Sequence, residues 1–248
     1  MKAILTYHSI DHSGSVISVA PAVFEQQVRW LATSRVKVVG LTDLLDLSDD
    51  GDAIAITFDD AFTNFKTDAW PRLKEHDLPA TVFVPTGFVG RNNGWAAMPG
   101  GDMPIMPILD WASLAELQEE GATLGAHSRT HADLRLLSDA AVEDEVLGSI
   151  DDIQRETGRR VGTFAYPYGY WSASAARVAA RVCSHACTTE LRPLSASEPR
   201  HLLPRLDMYY LRGWGRLESF GSASFRAYVG ARAQVRAVGQ WVRARVHA

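Results

Sequence analysis

Short apolar runs punctuate the chain, and longer amphipathic stretches separate them. The runs predict strands at residues 3–6, 36–39, 53–58, 80–84, 123–126, 162–165, 186–189 and 202–206. Helices are predicted between most of them, at 21–32, 41–47, 65–76, 113–120, 139–157 and 172–182. In several of these, apolar residues recur every three or four positions: Leu114 with Leu117, and Val142 with Val146, Ile150 and Ile153. Strand–helix alternation over most of the chain predicts a parallel sheet in an α/β protein. A distorted parallel β/α barrel of about seven strands is the leading architecture, with an open doubly wound sheet second. Neither a G-x-G-x-x-G nor a phosphate-binding Walker loop follows any strand, which argues against a nucleotide fold.

Two segments break the alternation. Residues 85–107, rich in Gly, Pro, Asn and Met, are too long for a plain connection and predict a lid or binding loop. From residue 225 onward, Tyr228, Val235, Val238, Val242 and Val246 fall roughly on one helical face, beside Arg232, Arg236 and Arg243. The expected organisation is a barrel over 1–224 and a basic amphipathic helix over 225–248, packed on the barrel. Peripheral contact with a membrane or an acidic partner is the other use of such a helix.

The formal net charge of −4 makes the whole molecule a poor trap for nucleic acid. That figure hides a split, because residues 208–248 carry +6 and residues 1–207 carry −10. Cys183 and Cys187 exclude a disulfide-stapled scaffold, and their C-x-x-x-C spacing fits neither a zinc ribbon nor a C-x-x-C redox pair. They read as small residues in a partly buried segment. The opening "MKAILTYHSIDHSG" lacks the apolar core of a signal peptide, and no run is long enough to span a bilayer. A soluble, cytoplasmic protein is expected.

Candidate chemistry lies at the strand ends. Residues 3–6 run into Tyr7 and His8, 53–58 into Asp59 and Asp60, 123–126 into "HSRTH" (127–131), and 162–165 into "YPYG" (166–169). The last strand carries Arg205 and leads to Asp207. In a parallel β/α fold the carboxyl ends of the strands line one face, so these five clusters should converge. His127 and His131, four apart on a predicted helical turn, can chelate one ion. One carboxylate of the Asp pair can complete that site, and the other, kept ionised beside the cation, can act as a general base. Alone, either motif has a plain reading: surface histidines, or an Asp-Asp helix cap.

"TFDD" (57–60), "HSRTH" and "FAYPYG" (164–169) together resemble the first three motifs of the polysaccharide deacetylases, carbohydrate esterase family four. The resemblance implies a distorted β/α barrel. It also implies removal of acetyl groups from N-acetylated sugar polymers or oligosaccharides with a divalent metal, commonly Zn2+. It implies Asp59 as base, Asp60, His127 and His131 as metal ligands, and the backbone N–H of Tyr168 as an oxyanion donor.

Three features depart from the common pattern. Ala165 stands where the third motif has an Arg that orients the base, and Arg205 is the expected substitute, with Asp207 as its partner. The late Leu-x-His that supplies the acid is missing, His247 being the only His after Asp207. Third, "LTYHSI" (5–10) resembles an exopolysaccharide-acting branch in which an early His replaces the late one, which makes His8 the expected acid. Tyr166, Tyr168, Tyr170, Trp171 and Trp95 offer flat faces for sugar rings. A deacylase of a small N-acyl or O-acetyl compound and a catalytically silent carbohydrate-binding protein are the competing readings. His12, His76, His185 and His201 are expected to be structural.

Overall fold

The computed structural model describes residues 1–48, 51–96 and 103–246, without the side chains of 96 and 239–246. Among the described residues ten strands form: β1 (Lys2–Tyr7), β2 (Ser9–Ile10), β3 (Ser18–Val19), β4 (Lys37–Val38), β5 (Ala53–Phe58), β6 (Ala80–Val84), β7 (Thr123–Ala126), β8 (Thr163–Ala165), β9 (His185–Cys187) and β10 (Leu206–Asp207). Seven of them make a curled parallel sheet in the order β10-β1-β5-β6-β7-β8-β9, and β4 pairs beside the start of β5. β2 and β3 form a separate pair. The sheet and its surrounding helices make the distorted β/α barrel that the alternation predicts.

The central strands of the sheet are mostly apolar because both of their faces are covered. All six residues of β5 are buried. Side chains alternate between faces with period two. Ala53 and Ala55 join an inner cluster with Ile4, Phe83, Ala165, Cys187 and Leu203, while Ile54, Ile56 and Phe58 join the larger cluster that includes the helices' apolar faces. The inner positions are mostly small, so one large ring, Phe83, fits among them. Burying a side chain of Leu, Ile or Phe size contributes about 1.5–3 kcal/mol. The alternation also turns Thr57 and Asp59 inward, towards the barrel axis.

Seven α-helices accompany the sheet among the described residues: α1 (Pro21–Thr33), α2 (Leu41–Leu44), α3 (Trp70–Glu75), α4 (Trp111–Glu119), α5 (Asp139–Thr157), α6 (Ala173–Val182) and α7 (Ala223–Val246). Ser138 caps α5 through a bond from the Ala141 N–H, and Gly158, left-handed at φ 71°, ends it. The helix predicted over 65–76 is instead a π turn, Phe65–Ala69, followed by α3. The Trp70 N–H bonds Phe65 O five residues back, and Pro71 has no N–H to restore the regular ladder.

The strand expected over 202–206 is shorter and later. Pro204 cannot donate to a ladder, so Leu203 makes an isolated parallel bridge to Cys187 and β10 pairs with β1 two residues on. Residues 203–207 thereby link the two edges of the sheet.

α7 forms, but its buried face differs from the predicted one. Phe225 and Val229 are buried, with Tyr228, Ala233 and Arg236 partly so. Val235 and Val238 are exposed. The spacing 225, 229, 233, 236 follows the helical period better than the valines do. The side chains of Val242, Arg243 and Val246, and all of His247, lie outside the described residues. Among the described residues no helix is long and apolar enough to cross a membrane.

Candidate metal centre and active site

Register brings the first two clusters together. Tyr7 pairs with Phe58 across β1 and β5, so His8 and Asp59 leave the sheet side by side, and the Asp59 N–H bonds Tyr7 O. His8 Nε2 lies 3.8 Å from Asp59 Oδ2. Val84 pairs with Ala126, and Ala126 with Phe164, which delivers His127 and Tyr166 to the same rim.

Asp59 is buried and ionised. Arg205 grips it bidentately, Nη1 to Oδ1 and Nη2 to Oδ2, both at 2.7 Å. The guanidinium is itself pinned, by Nε to Thr188 O at 2.8 Å and Nη1 to Thr57 Oγ1 at 3.3 Å. Burial alone would push the Asp59 carboxyl up. The Arg205 charge outweighs it, helped by His127, and holds the carboxyl far below its ordinary range. Arg205, only 1% exposed, thus reaches the carboxylate from the closing segment of the barrel.

The expected Arg205–Asp207 pair is a correction. Asp207 accepts from the Tyr209 N–H and lies 3.8 Å from Arg236 of α7, while Arg205 is taken up by Asp59. Asp207 still acts on the Arg205 charge at longer range, but the hydrogen bonds of the guanidinium go to Asp59, Thr57 and Thr188.

Asp60, His127 and His131 are all buried, and one ligand atom from each lies within 4.8 Å of the others. Asp60 Oδ1 is 3.6 Å from His127 Nε2 and 3.4 Å from His131 Nε2. Two ligands of one tetrahedral zinc, at about 2.0–2.1 Å from the ion, stand roughly 3.3–3.4 Å apart. Asp60 Oδ1 is buried and has no hydrogen-bond partner. Burial raises the Asp60 carboxyl above its ordinary range and, with the neighbouring His127, drives His131 well below its own. His127 Nδ1 faces Ala165 O at 2.7 Å, which leaves Nε2 for the centre. These donors fit a divalent cation, which would compensate the buried carboxylate.

"HSRTH" is not a helical turn, contrary to the expectation from its spacing. Ser128 and His131 both have positive φ, 60° and 55°, and Ser128 Oγ accepts the His131 N–H. Helix α5 holds the loop in that shape. Glu145 accepts from the N–H groups of Arg129 and Thr130, at 2.8 and 2.9 Å, and from Thr130 Oγ1 at 2.6 Å. Asp152 takes Arg129 Nε and Nη2. A Cβ on Gly148, between them on the helix, would stand 2.3 Å from the Arg129 guanidinium, so the glycine lets that group lie against the helix where it does. Glu145 and Asp152 escaped sequence reasoning. Their one signal is a pair of carboxylates flanking the apolar stripe of α5.

Asp60, Ala61 and Tyr168 also have positive φ, so five non-glycine residues in this conformation lie in the three loops that meet at the centre. The Tyr168 ring stands edge-on to His131 at 4.6 Å, and Trp95 of the 85–107 loop stacks on the same imidazole at 4.5 Å. The loop predicted as a lid is thus tied to the rim. Its residues 97–102 lie outside the described ones. Tyr166 is fully buried, and its hydroxyl donates to His201 O, so it offers no face to a ligand.

The sequence matches the family model for polysaccharide deacetylase over residues 46–184, more than half of the chain. The chain belongs to that family. It is 29% identical over 168 residues to the poly-beta-1,6-N-acetyl-D-glucosamine N-deacetylase of Staphylococcus aureus, a match covering 61% of this chain and 54% of that protein. It therefore spans about half the length of that relative. Among solved structures it is similar to the Streptococcus pyogenes deacetylase PplD in complex with acetate, with TM-score 0.71, 23% identity, and 83% and 91% of the two chains covered. It is also similar to IcaB from Ammonifex degensii, with TM-score 0.71, 21% identity, and 94% and 97% covered. At these identities the structural likeness establishes the fold.

Proposed function

We propose that this protein is a divalent-metal-dependent hydrolase that removes acetyl groups from the amino sugars of a polysaccharide or a glycan intermediate. The observation that carries the reading is one buried constellation: a carboxylate kept ionised by Arg205 beside an unpartnered carboxylate facing two imidazoles. The family supports the reaction class, and the N-deacetylase among the relatives supports an N-acetylglucosamine polymer as substrate.

Asp60, His127 and His131 would hold the metal, with zinc the leading candidate. Once bound, the cation supplies Lewis acidity to the acetamide carbonyl and lowers the pKa of the attacking water. Asp59 takes that water's proton, and Arg205 keeps it charged and fixes its orientation, standing in for the cation that Ala165 omits. His8, within 4 Å of Asp59, gives its proton to the departing nitrogen, because an amide nitrogen leaves poorly as an anion. The Tyr168 N–H donates to the oxyanion. Water and amide become acetate and a free amine. Asp207 takes no part in this chemistry and belongs to the contact with α7.

The test is acetate release from N-acetylglucosamine oligomers, acetylated xylan and small N-acyl amides, with metal added and with metal chelated. Metal-dependent release from the sugar amides alone is expected. Release confined to the ester or the small amides would overturn the substrate assignment. Undiminished release under chelation would overturn the metal.

A further inference from the structure

The two metal-facing imidazoles are oriented by different means. His127 is fixed by a hydrogen bond, its Nδ1 meeting Ala165 O at 2.7 Å. His131 presents Nε2 to Asp60 Oδ1 at 3.4 Å, and its Nδ1 is buried with no hydrogen-bond partner among the described residues. A histidine that binds a metal ordinarily commits its second ring nitrogen to a hydrogen bond, which sets the angle of the ring. Other rings hold His131 instead. Trp95 stacks on it at 4.5 Å with the planes 23° apart, while Tyr168 and His127 meet it edgewise at 4.6 and 4.9 Å. Of the three, only Trp95 lies nearly parallel to the imidazole.

The chain builds a frame to put the indole there. Trp95 sits in the short turn Gly94–Ala96, and its ring packs against Phe88 at 4.6 Å. Asn93, fully buried, pins the segment before it. Its side chain accepts from the Met106 N–H at 2.7 Å and donates to Pro104 O at 3.0 Å. Both legs of the loop are tied to the loops that carry the ligands. The Thr86 and Gly87 N–H groups bond Ser128 O and Arg129 O, between His127 and His131. The Leu109 N–H bonds Ala61 O, next to Asp60. Asp152 takes the Thr86 hydroxyl together with the Arg129 guanidinium. Indole and imidazole are thus held by one set of backbone bonds.

A cation at Nε2 would draw electrons out of the imidazole. The electron-rich face of an indole attracts such a ring more than it attracts a neutral one. The stack therefore favours the metal-loaded state over the empty one.

We propose that Trp95 is a positioning residue for the metal ligand His131, its indole doing for that ring what the Ala165 carbonyl does for His127. The proposal rests on the reading of Asp60, His127 and His131 as the metal centre. The indole face turned to His131 is closed to a sugar ring.

The experiment uses the full-length protein, stripped of metal and reloaded with zinc or cobalt. Trp95→Ala and Trp95→Leu are each expected to weaken zinc binding about fivefold to tenfold, read by chelator competition. Both are expected to shift the visible absorption bands of the cobalt form, because His131 turns within the coordination shell. Trp95→Phe keeps a flat ring on His131 and is expected to restore most of the affinity and the native cobalt spectrum. Trp95→Leu keeps apolar bulk, which covers the case in which the smaller alanine disturbs the loop, and circular dichroism checks that each variant is folded. The metal-free unfolding midpoint is expected to stay in place, while the rise that zinc brings shrinks in the Ala and Leu variants. Zinc affinity and a cobalt spectrum unaltered in the folded variants would overturn the proposal. So would a loss that Trp95→Phe does not restore, or one accompanied by a fall in the metal-free midpoint, since loop packing would then be its cause.

Binding and hydrolysis are read separately. A zinc affinity that depends on a flat ring at position 95 supports the proposal even if no sugar amide is hydrolysed. A native chain that binds neither zinc nor cobalt overturns it together with the metal centre.

Discussion

Replacing Arg205 by Met removes the charge that faces Asp59 and keeps most of the side chain's bulk. The perturbation is severe because both partners are almost fully enclosed, Arg205 at 1% and Asp59 at 2% exposure. Breaking a buried pair by removing one partner costs about 3–5 kcal/mol, since the remaining charge is left uncompensated. The sign of the pH dependence follows from Asp59. In the native chain its carboxyl is held below its unfolded value, so the pair's stabilisation is complete above the ordinary carboxylate range and is lost only as pH falls through the depressed value. Without Arg205, burial dominates and raises the carboxyl, so the variant's deficit is largest at neutral pH and shrinks as the solution is acidified. Urea unfolding of both chains between pH 5 and pH 8 measures this. Asp59→Asn combined with Arg205→Met is expected to recover part of the loss, because no bare charge remains. In activity, the acid limb of the kcat/KM profile moves to higher pH in Arg205→Met, as the base takes up a proton sooner. A deficit below about 1 kcal/mol that does not vary with pH would refute the reasoning.

Glu145→Gln weakens up to three bonds to the His127–His131 loop, and zinc affinity measured by chelator competition is expected to fall by about tenfold or more; unchanged affinity would show that the loop holds itself. His8→Ala is expected to lower kcat by about 10²–10⁴ with metal content retained, and full activity would remove His8 as the acid. Gly125→Ala places a Cβ 2.5 Å from the Phe83 ring in the barrel interior, and overpacking there is expected to cost about 1–3 kcal/mol, read as a lower unfolding midpoint. Chelating the metal is expected to lower the melting temperature, and zinc to restore it by mass action, if Asp60, His127 and His131 hold the ion; a melting temperature blind to both would argue against that centre.

What could be read from sequence was set by the parallel sheet. Its rule that strand ends share one face brought His8, Asp59, Asp60, His127, His131 and Tyr168 together from positions far apart in the chain, and they meet in the structure. Arg205 could be nominated by the same rule, but not its partner. Asp207 is nearer in sequence, yet Arg205 turns into the barrel and Asp207 meets α7. Local conformation was less legible. Spacing alone made "HSRTH" look helical, whereas the loop depends on α5 carboxylates some fifteen to twenty-three residues away. The face of α7 was misjudged for a related reason. Its valines form an apolar series, but contact with the barrel selects Phe225, Val229 and the guanidinium of Arg236.

The segment that closes the barrel also carries Arg205, and it is synthesised 146 residues after Asp59. During translation Asp59, Asp60, His127 and His131 leave the ribosome long before the cation that pairs with Asp59. Until residues 203–207 dock between β1 and β9, the pocket around Asp59 remains open on one side, and its carboxylate stays hydrated. Closure of the sheet and pairing of Asp59 with its cation are then one late event. A nascent chain that stops before residue 203 holds Asp60, His127 and His131 and still lacks the partner that keeps Asp59 charged.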